Sequence, residues 1–119
     1  MLRVLAIGFD PAYVDLLDPN LTPALVRAFI DAQLDRLAAS GYEVHSCLVG
    51  SADTAEGMVS ACLGRAKFDC VVFGAGLRTP EQLLLFEKLI NVVHTMAPMS
   101  RICFNTTPAD TAEAVQRWI

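Results

Sequence analysis

Residues 70–80 read CVVFGAGLRTP, and these eleven residues carry the strongest indication of a fold class. Its first four residues are all apolar, which is typical of a strand that is covered on both faces in a parallel sheet. Two glycines then mark a turn. Thr79 followed by Pro80 is a typical helix start, because threonine accepts from free N–H groups and proline fits the first helical position. The stretch therefore predicts a buried strand that leads directly into a helix.

The same unit, a strand followed by a helix, recurs along the chain. Residues 2–9 form a second run that is apolar except for Arg3, whereas residues 42–49 and 101–105 carry two or more polar side chains each. Helical spacing of apolar residues follows each run, which predicts helices at residues 22–40, 53–66, 80–96 and 108–118. Strands that alternate with helices in this way indicate a parallel sheet.

We predict one α/β domain over residues 1–119, with a flavodoxin-like sheet in three αβα layers. The two runs that are apolar on both faces are expected as central strands, because helices cover both sides of such strands. The two runs with polar residues are expected at the edges. This arrangement gives four parallel strands in the order 2-1-3-4.

The architecture resembles the flavodoxin and response-regulator superfold over nearly the whole chain, but the functional motifs differ. A receiver domain has an acidic pair after the first strand, where Asp10 stands alone. It also has a phospho-accepting aspartate at the end of the third strand, where this chain reads Val72-Phe73-Gly74. The Ser/Thr-rich loop that holds the flavin phosphate in flavodoxins is missing too. The resemblance therefore implies a fold and no activity.

Composition excludes several functional classes. Hydrophobic residues make up 54% of the chain and charged residues 18%, which excludes intrinsic disorder. The net charge is −4 and lysine and arginine form no cluster, so we expect no nucleic-acid partner. No apolar run is long enough to cross a bilayer, so we expect a soluble protein with no membrane partner.

The cysteines indicate a reducing compartment. Cys47, Cys62, Cys70 and Cys103 form no C-x-x-C pair, and no histidine lies at metal-ligand spacing from them, so they predict no metal site. Three of the four lie in apolar runs, where a free cysteine behaves as a small hydrophobic residue. We therefore expect a cytoplasmic location.

Capping residues support the predicted helices. Thr22, Thr79 and Thr107 each precede a proline and are expected to be N-caps. Asp53 with a glutamate three residues later is a variant of the capping box. Gly41 is expected to end the first helix.

A ligand site is expected beyond the carboxyl ends of strands one and three, where the strand order reverses. The loop at residues 74–79 reaches this point. Gly74 and Gly76 allow close approach of the backbone, Arg78 adds a planar cation and Thr79 a hydroxyl group. This combination suits a phosphate or carboxylate. The alternative interpretation is a tight turn with a solvated arginine.

Two further loops flank this point. Residues 10–21 form a long loop with the carboxylates of Asp10, Asp15 and Asp18 and no basic residue. It predicts a lid or an oxygen-ligand site for Mg²⁺, although these residues are also turn formers. Within it, Asp10 is the candidate acid–base group and Tyr13 a candidate ligand contact.

The loop after the fourth strand contributes Asn105 and Thr106. Both side chains can hydrogen-bond a ligand, or they can instead tie neighbouring loops together. With the loops above, they predict that the protein binds a small anionic metabolite at the strand ends. No particular cofactor or reaction is indicated, so enzymatic activity stays an open question.

The alternative function is a homo-oligomeric interaction module. The helix predicted at residues 80–96 is unusually apolar. The residues expected to face the sheet are Leu83, Phe86, Leu89, Ile90 and Val93. Three further apolar residues extend the apolar face of the helix to about half of its circumference: Leu85, Val92 and Met96. An arc of this width predicts a homodimer formed through this helix, because one sheet contact does not cover it.

Overall fold

The computed structural model describes residues 1–13 and 20–119, in which strands and helices alternate. The strands are β1 (Arg3–Phe9), β2 (Glu43–Val49), β3 (Cys70–Phe73) and β4 (Arg101–Phe104). The helices are α1 (Pro23–Ala39), α2 (Ala52–Arg65), α3 (Leu83–Met96) and α4 (Thr111–Gln116). No helix in these ranges is both long and apolar enough to cross a membrane.

The strands form one parallel sheet in the order β2-β1-β3-β4. The central strands pair from Val4 with Cys70 to Ile7 with Phe73. Every residue of β3 is buried, as expected for a strand with neighbours on both sides and helices on both faces. The three-layer, flavodoxin-like α/β fold and its strand order are therefore confirmed. Because all the strands run in one direction, their carboxyl ends meet at the same edge.

A hydrophobic core lies on each face of the sheet. On one face, α2 and α3 each bury three residues against the strands. On the other face, α4 packs Ala112, Ala114 and Val115 against the sheet, whereas Leu37 is the one buried residue of α1. The helix α1 is thus held near its carboxyl end, and its amino-terminal part covers the sheet more loosely.

Two of the predicted caps are confirmed. The side chain of Thr22 accepts a hydrogen bond from the N–H of Leu25 at 3.1 Å, and Pro23 begins α1. Gly41 follows the end of α1 with a φ of 97°, a conformation that glycine adopts without the steric cost of a Cβ atom. These residues set both ends of the helix.

The other predicted caps are wrong. Ser51, which accepts from the N–H of Asp53 at 3.2 Å, caps α2 in place of Asp53 itself. The Thr79 side chain makes no capping bond, because the backbone closes a 3-10 turn at Pro80–Gln82 and α3 begins only at Leu83. Thr107 is not the N-cap of α4, because that helix begins only at Thr111. In the turn before the helix, the Asp110 carboxylate accepts from the N–H groups of Thr106 and Thr107.

The buried face of α3 differs from the prediction. Leu85, Leu89 and Val93 are buried, whereas Leu83 is 59% exposed. The buried arc lies closer to α2 than expected, because α3 packs against α2 as well as against the sheet. Leu85 is consequently a core residue rather than part of an open flank. Val92 is partly buried against the same core.

Candidate functional site

A cavity of about 250 Å³ lies between α1 and the sheet, beside the carboxyl ends of β1 and β3. Val26, Ile30 and Leu34 of α1 line one side, and Ala6 and Val72 of the sheet line the other. The loops after β1, β3 and β4 supply the remaining wall. We call this space the α1 cavity. It lies at the strand ends, where a ligand site is expected from the strand order.

Small side chains on the sheet explain why the α1 cavity exists. Near the buried end of α1, Leu37 lies in one hydrophobic core with Val4 of β1. Toward the other end of α1, the strands present Ala6, Gly8 and Ser46 to the same side. These residues have little or no side-chain volume, so the sheet does not fill the space beneath the helix.

The wall of the α1 cavity is almost entirely apolar. None of the described residues that line it is charged, and its polar side chains are those of Ser46, Asn105 and Thr111. Burying apolar ligand surface against such a wall contributes about 25 cal/mol per Å². A few polar groups in an apolar pocket then fix the orientation of a ligand. The lining therefore suits a molecule with an apolar body.

Asn105 and Thr111 form a buried pair at the end of β4. They are 6% and 7% exposed, and the Nδ2 atom of Asn105 donates to Oγ1 of Thr111 at 3.1 Å. The other side of the amide, Oδ1, accepts from Nη1 of Arg78 at 3.2 Å. Because Arg78 can only donate, this contact fixes which end of the amide faces Thr111.

Arg78 connects the ends of β3 and β4. Besides the Asn105 side chain, its guanidinium donates to the backbone carbonyl oxygens of Phe73 and Asn105. It also lies 5.2 Å from the centre of the Phe104 ring. Burial lowers the pKa of Arg78, while the Asp110 carboxylate acts in the opposite direction. The predicted anion anchor thus makes three hydrogen bonds to protein oxygens at the ends of β3 and β4.

The predicted site residues divide into two groups. Gly74, Gly76 and Asn105 line the α1 cavity, whereas Arg78 and Thr79 do not. The glycine turn passes close to the end of β1. A Cβ atom added at Gly76 would lie 3.3 Å from Cβ of Phe9, so larger side chains would push the turn away from the strand.

Tyr13, Asp10 and Thr106 also lie outside the cavity wall. The Tyr13 ring lies against Gly50 after β2, so close that a Cβ atom there would be 2.6 Å from it. Asp10 accepts from the N–H of Ala12 at 3.0 Å, which forms a local turn.

Thr106 donates to the Asp110 carboxylate through its hydroxyl and through its backbone N–H, the latter at 2.8 Å. Burial raises the pKa of Asp110, but the hydrogen bonds from Thr106 and Thr107 outweigh it and hold the pKa below its usual value. The loop after β4 is thus organised around one carboxylate. The geometry gives Thr106 a partner within its own loop.

The predicted Mg²⁺ site and lid depend on Asp15 and Asp18, which lie outside the described residues. Within residues 1–13 and 20–119, no three metal-ligating side chains form a cluster. Sequence reasoning missed Thr111 and the α1 side of the cavity. The small residues Ala6 and Gly8 in an otherwise apolar strand were the available signal, because they leave room beneath a helix.

All four cysteines are free thiols, and they lie in the two cores. Sγ of Cys70 lies 3.3 Å from Sγ of Cys103, across β3 and β4. Their hydrogen bond and burial raise the pKa of Cys70. Burial also raises the pKa of Cys47, to about 12. Cys62 is only partly buried, so it is the cysteine most accessible to a reagent.

The chain matches no protein-family model, and no curated protein matches it. Its function is therefore inferred from the geometry of the α1 cavity.

Proposed function

We propose that this protein binds a small organic molecule with a largely apolar body in the α1 cavity. The observation that carries the proposal is an apolar cavity of about 250 Å³ at the carboxyl ends of the central strands. A dry engineered cavity of about 150 Å³ binds benzene, and sites for drug-sized ligands begin near 300 Å³. A ligand with a size between these two is therefore expected.

The proposed role is binding, and no reaction is assigned to it. Among the described lining residues, Ser46 and Thr111 carry hydroxyl groups, which can act as nucleophiles in enzymes. Neither has a histidine or a carboxylate beside it in the cavity wall, and a hydroxyl nucleophile needs such a base. The geometry thus favours recognition over catalysis.

A small anionic metabolite held by Arg78 stays the sequence-based proposal for this edge of the sheet. To bind an anion with both of its Nη groups, the guanidinium would have to leave the carbonyl oxygens of Phe73 and Asn105. Losing these hydrogen bonds offsets part of the gain from an ion pair. The apolar lining of the α1 cavity is the stronger support, so we favour the apolar ligand.

Filling the cavity tests the proposal. Ala6 lies on the sheet side of the cavity, so Ala6→Leu should occupy the ligand's space. Ala32→Leu is the matched control, because Ala32 is an exposed residue of α1. The probe is α-methylstyrene, an apolar molecule slightly larger than benzene. A ligand that binds only the folded state raises the Tm.

We expect α-methylstyrene to raise the Tm of the wild type and of Ala32→Leu, and to leave that of Ala6→Leu unchanged. If Ala6→Leu does not fold, Ile30→Phe fills the cavity from the helix side and should give the same result. An unchanged Tm of the wild type would overturn the proposal. An equal rise in the wild type and the filled variants would overturn it as well.

A second candidate function is self-association through the amino-terminal end of α3. Leu83 and Leu84 are 59% and 76% exposed, and Phe104 of the neighbouring edge strand is partly exposed. Neighbouring apolar side chains at a surface are typical of protein contacts. Native mass spectrometry should then show a dimer that Leu84→Glu disrupts. A monomer at high micromolar concentration would contradict this candidate.

We also propose that the protein is located in the cytoplasm. All four cysteines, which lie within the described residues, are free thiols, and a reducing compartment keeps thiols in that state. Co-fractionation of the protein with cytoplasmic markers would test this location.

A further inference from the structure

The Thr111 hydroxyl is a buried donor at the wall of the α1 cavity. Its Oγ1 atom accepts from Nδ2 of Asn105, and the contact of Arg78 with Oδ1 prevents the amide from turning over. Thr111 is therefore fixed as the acceptor in this pair. Within residues 1–13 and 20–119, its hydroxyl donates to no acceptor, so its proton is available to a molecule in the cavity.

An unused donor in an apolar environment is costly. The Thr111 oxygen is paired with Asn105, but its O–H proton has no acceptor among the described residues, and polar groups in protein interiors are almost always hydrogen-bonded. Thr111 is 7% exposed, and the apolar side chains of α1 lie across the cavity from the sheet. A ligand with a hydrogen-bond acceptor would supply the missing partner.

The charges around the cavity indicate that this acceptor is neutral. None of the described lining residues is charged. The nearest cation in this network, Arg78, contacts Asn105 and the strand ends and is not part of the wall. Burying an anion in an apolar wall without a cation is far more costly than burying a neutral carbonyl group.

We infer that the α1 cavity takes a neutral carbonyl compound with an apolar body, whose oxygen accepts a hydrogen bond from the Thr111 hydroxyl. The inference rests on the proposed function and adds the chemical class of the ligand. It makes Thr111 the residue that determines specificity. Asn105 and Arg78 act through Thr111, because they hold its hydroxyl as a donor.

Three probes of nearly equal size and shape test this class. Acetophenone carries a neutral carbonyl oxygen, α-methylstyrene has a methylene group in its place, and benzoate carries a full negative charge. Their affinities would be measured by NMR, from saturable shifts of the Ile30 and Val72 methyl groups, in the purified wild-type chain and two variants. Thr111→Val removes the hydroxyl while keeping the side-chain shape, and Thr111→Ser keeps the hydroxyl.

The expected readout is a ratio of affinities, acetophenone over α-methylstyrene, because a general change in cavity shape affects both probes. A buried carbonyl that loses its donor binds more weakly, so we expect this ratio to fall about tenfold in Thr111→Val and to recover in Thr111→Ser. Benzoate should bind at least tenfold more weakly than acetophenone to the wild type.

The outcomes separate this inference from the proposed function. If both neutral probes bind and the ratio is the same in all three proteins, the ligand class is wrong and the cavity is still a binding site. If benzoate binds as tightly as acetophenone, the neutral class is overturned. If neither neutral probe binds, the proposed function fails, and the inference fails with it.

If Thr111→Val does not fold, an infrared measurement on the wild type still tests the role of Thr111. A hydrogen bond weakens the carbonyl bond of acetophenone, so its infrared stretching frequency in the wild-type complex should lie below the frequency in hexane. A bound carbonyl with the hexane frequency has no donor and would contradict the role of Thr111.

Discussion

The Nδ2 atom of Asn105 lies 3.1 Å from Oγ1 of Thr111, and this hydrogen bond joins the end of β4 to the first residue of α4. The same amide accepts from Arg78, which in turn connects the end of β3. One side chain thus links three elements at the edge of the sheet. The stability of this edge and the chemistry of the α1 cavity therefore depend on the same contacts.

Replacing Asn105 with alanine should lower the free energy of unfolding by about 2–4 kcal/mol. The substitution removes the donor to the Thr111 oxygen and the side-chain acceptor of Arg78, while the backbone carbonyl partners of Arg78 remain, and each such loss costs about 1–3 kcal/mol. Urea denaturation measures the change. The matched control is Asn91→Ala on the exposed face of α3, for which we expect a change within about 0.5 kcal/mol. Equal effects of the two substitutions would contradict the structural role of Asn105.

Arg78→Lys should destabilise the protein by about 1–3 kcal/mol, although it keeps the charge. A lysine ammonium cannot reproduce the planar fork that contacts Phe73 and Asn105 together. The control is Arg101→Lys, at an exposed position of the edge strand, where urea denaturation should show little change. Wild-type stability after Arg78→Lys would show that the guanidinium contacts contribute little.

Phosphate distinguishes the two interpretations of Arg78. As a structural link, Arg78 is expected to give no specific phosphate site, so inorganic phosphate should stabilise the wild type and Arg78→Gln equally. Thermal unfolding with and without phosphate measures this difference. Stabilisation of the wild type alone would favour the anionic ligand predicted from residues 74–79.

Thiol reactivity should follow burial. Cys47, Cys70 and Cys103 are buried. Burial raises the pKa of Cys47, and the hydrogen bond with Cys103 together with burial raises the pKa of Cys70, so little thiolate forms at these two positions near pH 8. We expect Ellman's reagent to modify one thiol quickly in the native protein. Cys62→Ser should remove this fast phase. Rapid modification of three or four thiols would contradict the burial of the two cores.

The Asp110 carboxylate predicts a pH dependence of stability. Its pKa in the folded protein lies below the usual 3.8, so its ionised form stabilises the folded state. This contribution is fully present above pH 3.8 and is lost as the pH falls through the lower folded value. Asp110→Asn should therefore lose less stability than the wild type between pH 5 and pH 2 in urea titrations. Parallel curves for the two proteins would contradict this prediction.

The strand order could be predicted because it depends on local composition. Residues 70–73 are apolar throughout and residues 2–9 are apolar except for Arg3, and only central parallel strands need to be apolar on both faces. Thr22 and Gly41 could be predicted for the same reason, since a cap acts within one turn of its helix. The buried face of α3 could not be predicted from the sequence, because the position of α2 decides whether Leu83 or Leu85 enters the core.

The candidate site was only partly predictable. Gly74, Gly76 and Asn105 follow strands, and the parallel topology brings strand ends together. The direction of the Arg78 guanidinium depends on carbonyl oxygens of two strands, which composition does not place. The small residues Ala6 and Gly8 were a local signal for room beneath a helix, but the distance between α1 and the sheet also depends on the packing of Leu37, which composition does not place.

A methyl NMR titration of the wild-type protein with acetophenone tests the central claim most directly. We predict saturable shifts of the Ile30 and Val72 methyl groups, which lie on opposite sides of the α1 cavity. The methyl group of Met99, which is 91% exposed, should not shift. Shifts that do not saturate, or that appear only at exposed methyl groups, would contradict the claim that the α1 cavity is a ligand site.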